Sequence, residues 1–148
     1  DWKVVNNELW LKTKTQISGY MNVSEQAIND GWFKTGDLIE MLDSTYFKII
    51  GRKKEVINVG GEKVLPAEIE DLVMTLKQVV DCTAFSIPNG ITGQAVGVRI
   101  VPEIGVDLKI LKKEIRLISR KHLESFKVPV KIMFESDLKH TDRFKKER

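Results

Sequence analysis

Disulfides are the first thing this chain cannot build on. Its 148 residues contain one cysteine, Cys82, so no intrachain bridge can form and a disulfide-stapled secreted domain is excluded. Cys82 lies in the apolar run 79–85, where a small buried hydrophobe is expected. Histidine is scarce as well. His122 and His140 stand without a set of neighbouring ligands, so no metal site and no histidine general base are expected. No apolar stretch approaches the roughly 20 residues that cross a bilayer as a helix. No signal-peptide pattern opens the chain, and the cytoplasm is the expected compartment. Repeats and low-complexity segments are missing too. The net charge of +3 is too mild to argue for nucleic acid. A small basic α+β module for RNA or an acidic partner ranks low, because aromatics do not interleave along a sheet face.

What is present reads as ordinary globular protein, with 42% apolar and 30% charged residues. The length suits one domain, or one domain plus a fragment of another. The chain opens at Asp1 and ends in a charged run, and is expected to be a piece of something longer.

The most informative stretch is 51–70, Gly-Arg-Lys-Lys-Glu-Val-Ile-Asn-Val-Gly-Gly-Glu-Lys-Val-Leu-Pro-Ala-Glu-Ile-Glu. Residues 55–59 are rich in β-branched side chains, which suit a pleated surface. Gly60-Gly61 can take positive φ or admit a close neighbour, and 63–65 can pair back as a short strand. Pro66 suits the first turn of a helix, and Glu68 and Glu70 complement its dipole. Gly51-Arg52-Lys53-Lys54 sets three cations beside a glycine. They could hold a polyanion or form a solvated turn, and spacing alone favours the turn.

Elsewhere, residues 7–14 carry a strand period, and Ser24 can cap a short helix to about residue 28. Gly31-Trp32-Phe33-Lys34-Thr35-Gly36-Asp37-Leu38 reads as a loop ending on a carboxylate. Asp37 could accept two hydrogen bonds from a diol, or it could cap its own turn. Residues 38–42 and 46–50 flank Asp43-Ser44-Thr45 as a hairpin, which can bring Asp37 and Arg52 together. A helix over 66–77 would bury Ile69, Leu72, Val73 and Leu76. Strands follow at 79–86 and 95–101, with a turn at Pro88-Asn89-Gly90. Asp107 can cap a helix to about residue 123, burying Leu108, Leu111, Ile115 and Ile118. Its cations read as a solvated face. A third strand covers 130–134. The expected fold is α+β: a β-hairpin leading into a small three-stranded sheet packed with two main helices, preceded by a β-rich remnant of a larger domain.

Several of these motifs, in this order, resemble the adenylate-forming enzymes: acyl-CoA synthetases, luciferases and peptide-synthetase adenylation domains. Gly51, Arg52, Lys54, Ile57, Gly61, Glu68, Ile69 and Glu70 match the segment that opens the C-terminal domain of that family. Glu8-Leu9, Gly19-Tyr20-Met21-Asn22 and Gly31-Trp32-Phe33-Lys34-Thr35-Gly36-Asp37 match segments before it, with Asn7 in place of a glycine. At the tail, Leu138, Thr141, Lys145 and Arg148 keep the family register. There Lys139 replaces a proline, and Phe144 replaces a glycine in a loop where a side chain resists positive φ.

The resemblance implies that 1–51 end an ATP-binding N-terminal domain and that 52–148 form the mobile C-terminal domain. It implies Asp37 as ribose ligand, with Thr35 and Arg52 beside it, and Lys54 as hinge. Gly60 and Gly61 would line the pantetheine path. Lys145 would be the catalytic lysine of adenylation, with Lys146 one residue away as the alternative. The implied activity is an AMP-forming acyl-CoA synthetase acting on a small-molecule carboxylic acid. ATP and Mg²⁺ would be held mainly by the N-terminal domain, and the thiol would come from CoA or a carrier-protein pantetheine. A stand-alone interaction domain without catalysis is the rival that Phe144 favours.

Overall fold

The computed structural model describes residues 1–12 and 28–136. The helix expected from Ser24 and the whole tail, with Lys139, His140, Thr141, Phe144, Lys145 and Lys146, lie outside them. The chain divides into two compact units, Asp1–Lys54 and Glu55–Arg148.

The first unit is a five-stranded antiparallel sheet. β1 (Trp2–Val5) turns through Asn6-Asn7 into β2 (Glu8–Leu11). Both asparagines take positive φ, 51° and 63°, as a two-residue hairpin turn requires. β2 pairs with the long β4 (Trp32–Met41), which also pairs with the short β3 (Ile28–Asn29) and with β5 (Phe47–Arg52). The stretch 31–38, expected as a loop, is therefore mostly strand, because β4 has partners along both edges. The expected hairpin over 38–50 is β4–β5. Its Asp43 Oδ1 accepts from the Thr45 and Tyr46 amides at 2.6 and 2.8 Å. Those bonds hold the carboxyl of Asp43 below its ordinary range.

The second unit is the α+β layer. β8 (Val79–Asn89) and β9 (Gly93–Pro102) form its long antiparallel pair. β10 (Lys131–Phe134) lies parallel to β9. These are the three strands expected from the sequence. The glycine-turn hairpin, β6 (Ile57–Val59) with β7 (Glu62–Val64), joins the same sheet through Val59 and Gly93, extending it to five. Helices α1 (Pro66–Val73) and α2 (Leu108–His122) pack on it. Ile69 and Val73 meet Val79, Cys82, Ala84, Val98, Ile100, Leu111 and Ile115 in one core. No described helix is long and apolar enough to cross a membrane.

Both helices depart in detail from the periodicity. α1 stops at Val73 instead of 77. The Thr75 hydroxyl donates to the Leu72 carbonyl at 2.7 Å, and the following amides close tighter three-residue turns. Leu76 still reaches the core. In α2 the Asp107 carboxylate caps Lys109 and Ile110 as expected, a contact typically worth about 1 kcal/mol. The fully buried stripe, however, is Leu111, Ile115 and Ser119, with Ile118 half-buried. Leu108, the first residue of the helix, stays exposed at 42%.

Glu70 has a role that its place near the helix start conceals. It is buried, and its Oε1 accepts from the Ala84 amide of β8 at 2.9 Å. Among the described residues β8 pairs only with β9, so this bond caps an amide on the edge that no described strand covers. Glu70→Ala should cost the second unit about 1–3 kcal/mol, the penalty for a buried amide left without an acceptor. Glu70→Gln, which keeps an acceptor oxygen, should recover most of it. The exchange rate of the Ala84 amide, read alongside the unfolding free energy, checks this. An unchanged rate in the alanine variant would remove Glu70 from the account.

Candidate functional site

Thr35, Asp37 and Arg52 come together on the β4–β5 ladder. The cause is a bulge. Trp10 pairs with Lys34 and Glu8 with Leu38, so Thr35, Gly36 and Asp37 stand opposite Leu9 alone. Gly36 absorbs the extra length at φ +75°, a conformation that side chains resist. The Thr35 hydroxyl donates to the Leu9 carbonyl at 2.8 Å and accepts from the Asp37 amide at 3.0 Å.

The bulge aims Asp37 across the ladder. Its Oδ1 pairs with Arg52 Nε at 2.8 Å, and Arg52 Nη1 donates to the Thr35 carbonyl at 3.1 Å. Thr35, not Asp37, makes the local turn. The Asp37 side chain keeps 18% of its surface exposed, and among the described residues its Oδ2 carries no bond. A half-shielded carboxylate with one oxygen held by a guanidinium can accept from a ligand hydroxyl on the other.

Glu8 sits beneath this arrangement, nearly buried. Its Oε1 accepts from the Gly36 amide at 3.2 Å and its Oε2 from Lys53 Nζ at 2.9 Å. Burial by itself would raise its pKa. The hydrogen bond and charge of Lys53, together with the Gly36 amide, outweigh burial and hold the carboxyl below its ordinary range. Arg52 and Lys53 thus both pair with carboxylates of their own unit. The cationic run is the exposed turn that its spacing favoured, with two of its three cations also paired to carboxylates. The strand period gave no sign of Glu8, because Glu8, Leu9 and Trp10 are all buried in succession.

Lys54 is the last residue of the first unit, inside a 3-10 turn over Lys53–Glu55. In the second unit, Gly60 and Gly61 form the β6–β7 turn at φ +62° and +97°. Asn58 Oδ1 accepts from the Gly61 amide at 2.9 Å, and the Gly60 amide donates to the Thr92 carbonyl at 2.9 Å. A Cβ on Gly61 would meet nothing within 4 Å, so a side chain there would enter open space, at the cost of backbone strain.

A model of the AMP-binding enzyme C-terminal domain matches residues 68–145, more than half of the chain. The chain belongs to that family. It is 34% identical over 138 residues to a long-chain-fatty-acid–CoA ligase of Haemophilus influenzae, an alignment covering 91% of this chain and 24% of that one. The ATP-bound MatB protein of Rhodopseudomonas palustris aligns with a TM-score of 0.82 at 27% identity, covering 94% of this chain and 28% of that one. The o-succinylbenzoate CoA synthetase of Bacillus subtilis, solved with its acyl-adenylate intermediate, shares the fold with a TM-score of 0.86 at 20% identity. There the coverage is 99% of this chain and 32% of that one. The chain spans about a quarter of the length of the curated relatives it matches.

Glu8 makes the first unit acid-sensitive in a definite direction. A carboxyl held low in the folded state stabilises above its unfolded pKa, about 4.3. That contribution disappears as pH falls through the folded value. Glu8→Gln should therefore lower stability at neutral pH and flatten the acid limb. All three tryptophans lie in the first unit, so fluorescence-detected unfolding across pH measures it. Parallel acid limbs in the two proteins would contradict the assignment.

Proposed function

We propose that this chain works as the C-terminal part of an AMP-forming acid–thiol ligase. Residues 1–51 would be the last strands of its ATP-binding domain, and 52–148 its mobile domain. In the first half-reaction a carboxylate oxygen of a small-molecule acid attacks the α-phosphorus of ATP, and pyrophosphate leaves. In the second, the thiol of CoA attacks the acyl carbonyl and AMP leaves. A carrier-protein pantetheine is the alternative thiol. We assign the reaction to the cytoplasm.

The observation that carries this reading is the Asp37–Arg52 pair over the Gly36 bulge, in a chain of this family. Asp37 would bind the ribose diol through its open carboxylate oxygen, with Arg52 holding the other. Thr35 would keep the bulge in shape. Mg²⁺ would be held mainly by the larger domain that the relatives possess. Trp2, Met41 and Ile49 are exposed in the first unit, which suits a sheet that continues into such a domain. Lys54 is the proposed hinge. Arg52 and Lys53 are tied to Asp37 and Glu8, so backbone change would concentrate just after them, and a hinge needs only a few residues. Lys145 would meet the charge developing at the α-phosphate, as a compact ammonium can. Gly60 and Gly61 would line the thiol path in the other orientation.

The test uses the full-length synthetase and one single-turnover assay per half-reaction. Lys145→Ala should slow adenylate formation by about 10²–10³ while sparing acyl transfer from a supplied adenylate. Gly61→Leu should do the reverse. Lys54→Pro should trap one orientation, because a fixed φ cannot follow a rotation. Asp37→Ala should weaken ATP binding by about 1.5–3 kcal/mol, the worth of a charged hydrogen bond. Equal damage to both halves by Lys145→Ala would shift the role to Lys146. The 148-residue chain alone should show no carboxylate-stimulated pyrophosphate exchange.

A further inference from the structure

The outward face of α2 has a character that adenylation chemistry does not use. The helix carries six cations, Lys109, Lys112, Lys113, Arg116, Arg120 and Lys121, against one acid, Glu114. That is +5 in a chain whose total is +3, so everything outside the helix is net −2. Glu114 accepts from Gln78 Nε2 at 3.3 Å and is half-buried, which turns the lone acid away from solvent. Two large aliphatic side chains stand among the cations. Ile110 is 57% exposed and Leu117 69%. They are seven residues apart and so share one face, opposite the buried stripe of Leu111, Ile115 and Ser119. On a helical wheel Lys113, Arg120 and Lys109 flank this ridge on one side and Lys121 on the other.

We propose that this face of α2 docks on an anionic lipid bilayer. Ile110 and Leu117 would enter the headgroup boundary, and the flanking cations would meet lipid phosphates. A pattern of aliphatic ridge and cationic flanks is what holds an interfacial helix in the membrane plane, and polybasic attraction adds to it. An acidic protein is the competing occupant, and area decides against it. The helix is about 22 Å long and about 10 Å wide, an outward footprint of about 220 Å². A stable protein interface needs about 800 Å² per partner. A bilayer needs no matching concave surface, so a convex ridge suffices. The attachment would be shallow and reversible, because the opposite stripe of the helix is already buried in its own core.

The proposal is independent of the adenylation reading, and the 148-residue chain itself can test it. It should sediment with vesicles of phosphatidylglycerol and phosphatidylcholine, but not with phosphatidylcholine alone. Lys113→Gln with Arg120→Gln should lower the partition coefficient about fivefold per cation. Lys113→Arg with Arg120→Lys should leave it unchanged. Ile110→Ser with Leu117→Ser should lower it severalfold even at low salt, where charge attraction is least screened. All four substituted positions, Ile110, Lys113, Leu117 and Arg120, carry exposed side chains, and unfolding curves confirm that each variant is folded. Absence of sedimentation with anionic vesicles at low salt would overturn the proposal. So would equal sedimentation of every variant, or retention of the chain by an acidic carrier protein without vesicle binding.

Discussion

A single buried carboxylate organises the first unit. Glu8 is shielded from water, yet it is held ionised because Lys53 and the Gly36 amide both reach it. A buried charge without partners would cost several kcal/mol, so the sheet must deliver both. The Gly36 amide is available because the bulge turns it away from the ladder. Lys53 is available because Leu38 of β4 pairs with Glu8 on one side and Gly51 on the other, so the residues just after β5 come within reach of Glu8. The carboxylate therefore ties the shape of the Asp37 bulge to the last residues before the chain passes into the second unit.

The second unit is organised by a different rule. A sheet must cover its apolar face and protect its open edge. α1 and α2 cover the face with Ile69, Val73, Leu111 and Ile115. Glu70 caps an amide at the edge of β8. Lys127 then pairs with Glu124 and Glu68 at 2.8 and 2.9 Å. The two carboxylates, Glu124 first, hold its ammonium above the ordinary range. That contribution is complete below the unfolded lysine value and disappears only as pH rises through the folded one, so near neutrality this contact is constant, and the carboxyls held low, Glu8 and Asp43, act on the acid side. The glycine turn and the long strands can then keep their geometry, with Asn58 and Thr92 bonding the Gly60-Gly61 backbone directly.

Much of this was legible in the residues. The β-branched run, the glycine pair and Pro66 announced the β6–β7–α1 passage. Asp107 announced the start of α2, and the β4–β5 hairpin announced that Asp37 and Arg52 can meet. Local signals of this kind act over a few residues, where backbone preference and side-chain capping decide. The periodicity was less exact for burial. Leu108 kept the spacing of a buried residue and is exposed, and Ser119 is buried without apolar character.

The amino-acid order by itself determined most element types, the loop expected at 31–38 excepted, and the family to which the chain belongs. Tertiary structure alone decided which charges are spent inside the molecule. Glu8 and Lys53 are 45 positions apart, and no periodicity links residues so far apart in the chain. Their pairing follows from strand register, which is a cooperative property of the whole sheet. For the same reason the run Arg52-Lys53-Lys54 reads as uniform charge in the sequence. In the folded unit two of the three are committed to carboxylates, because only β4 and β2 bring those carboxylates within reach.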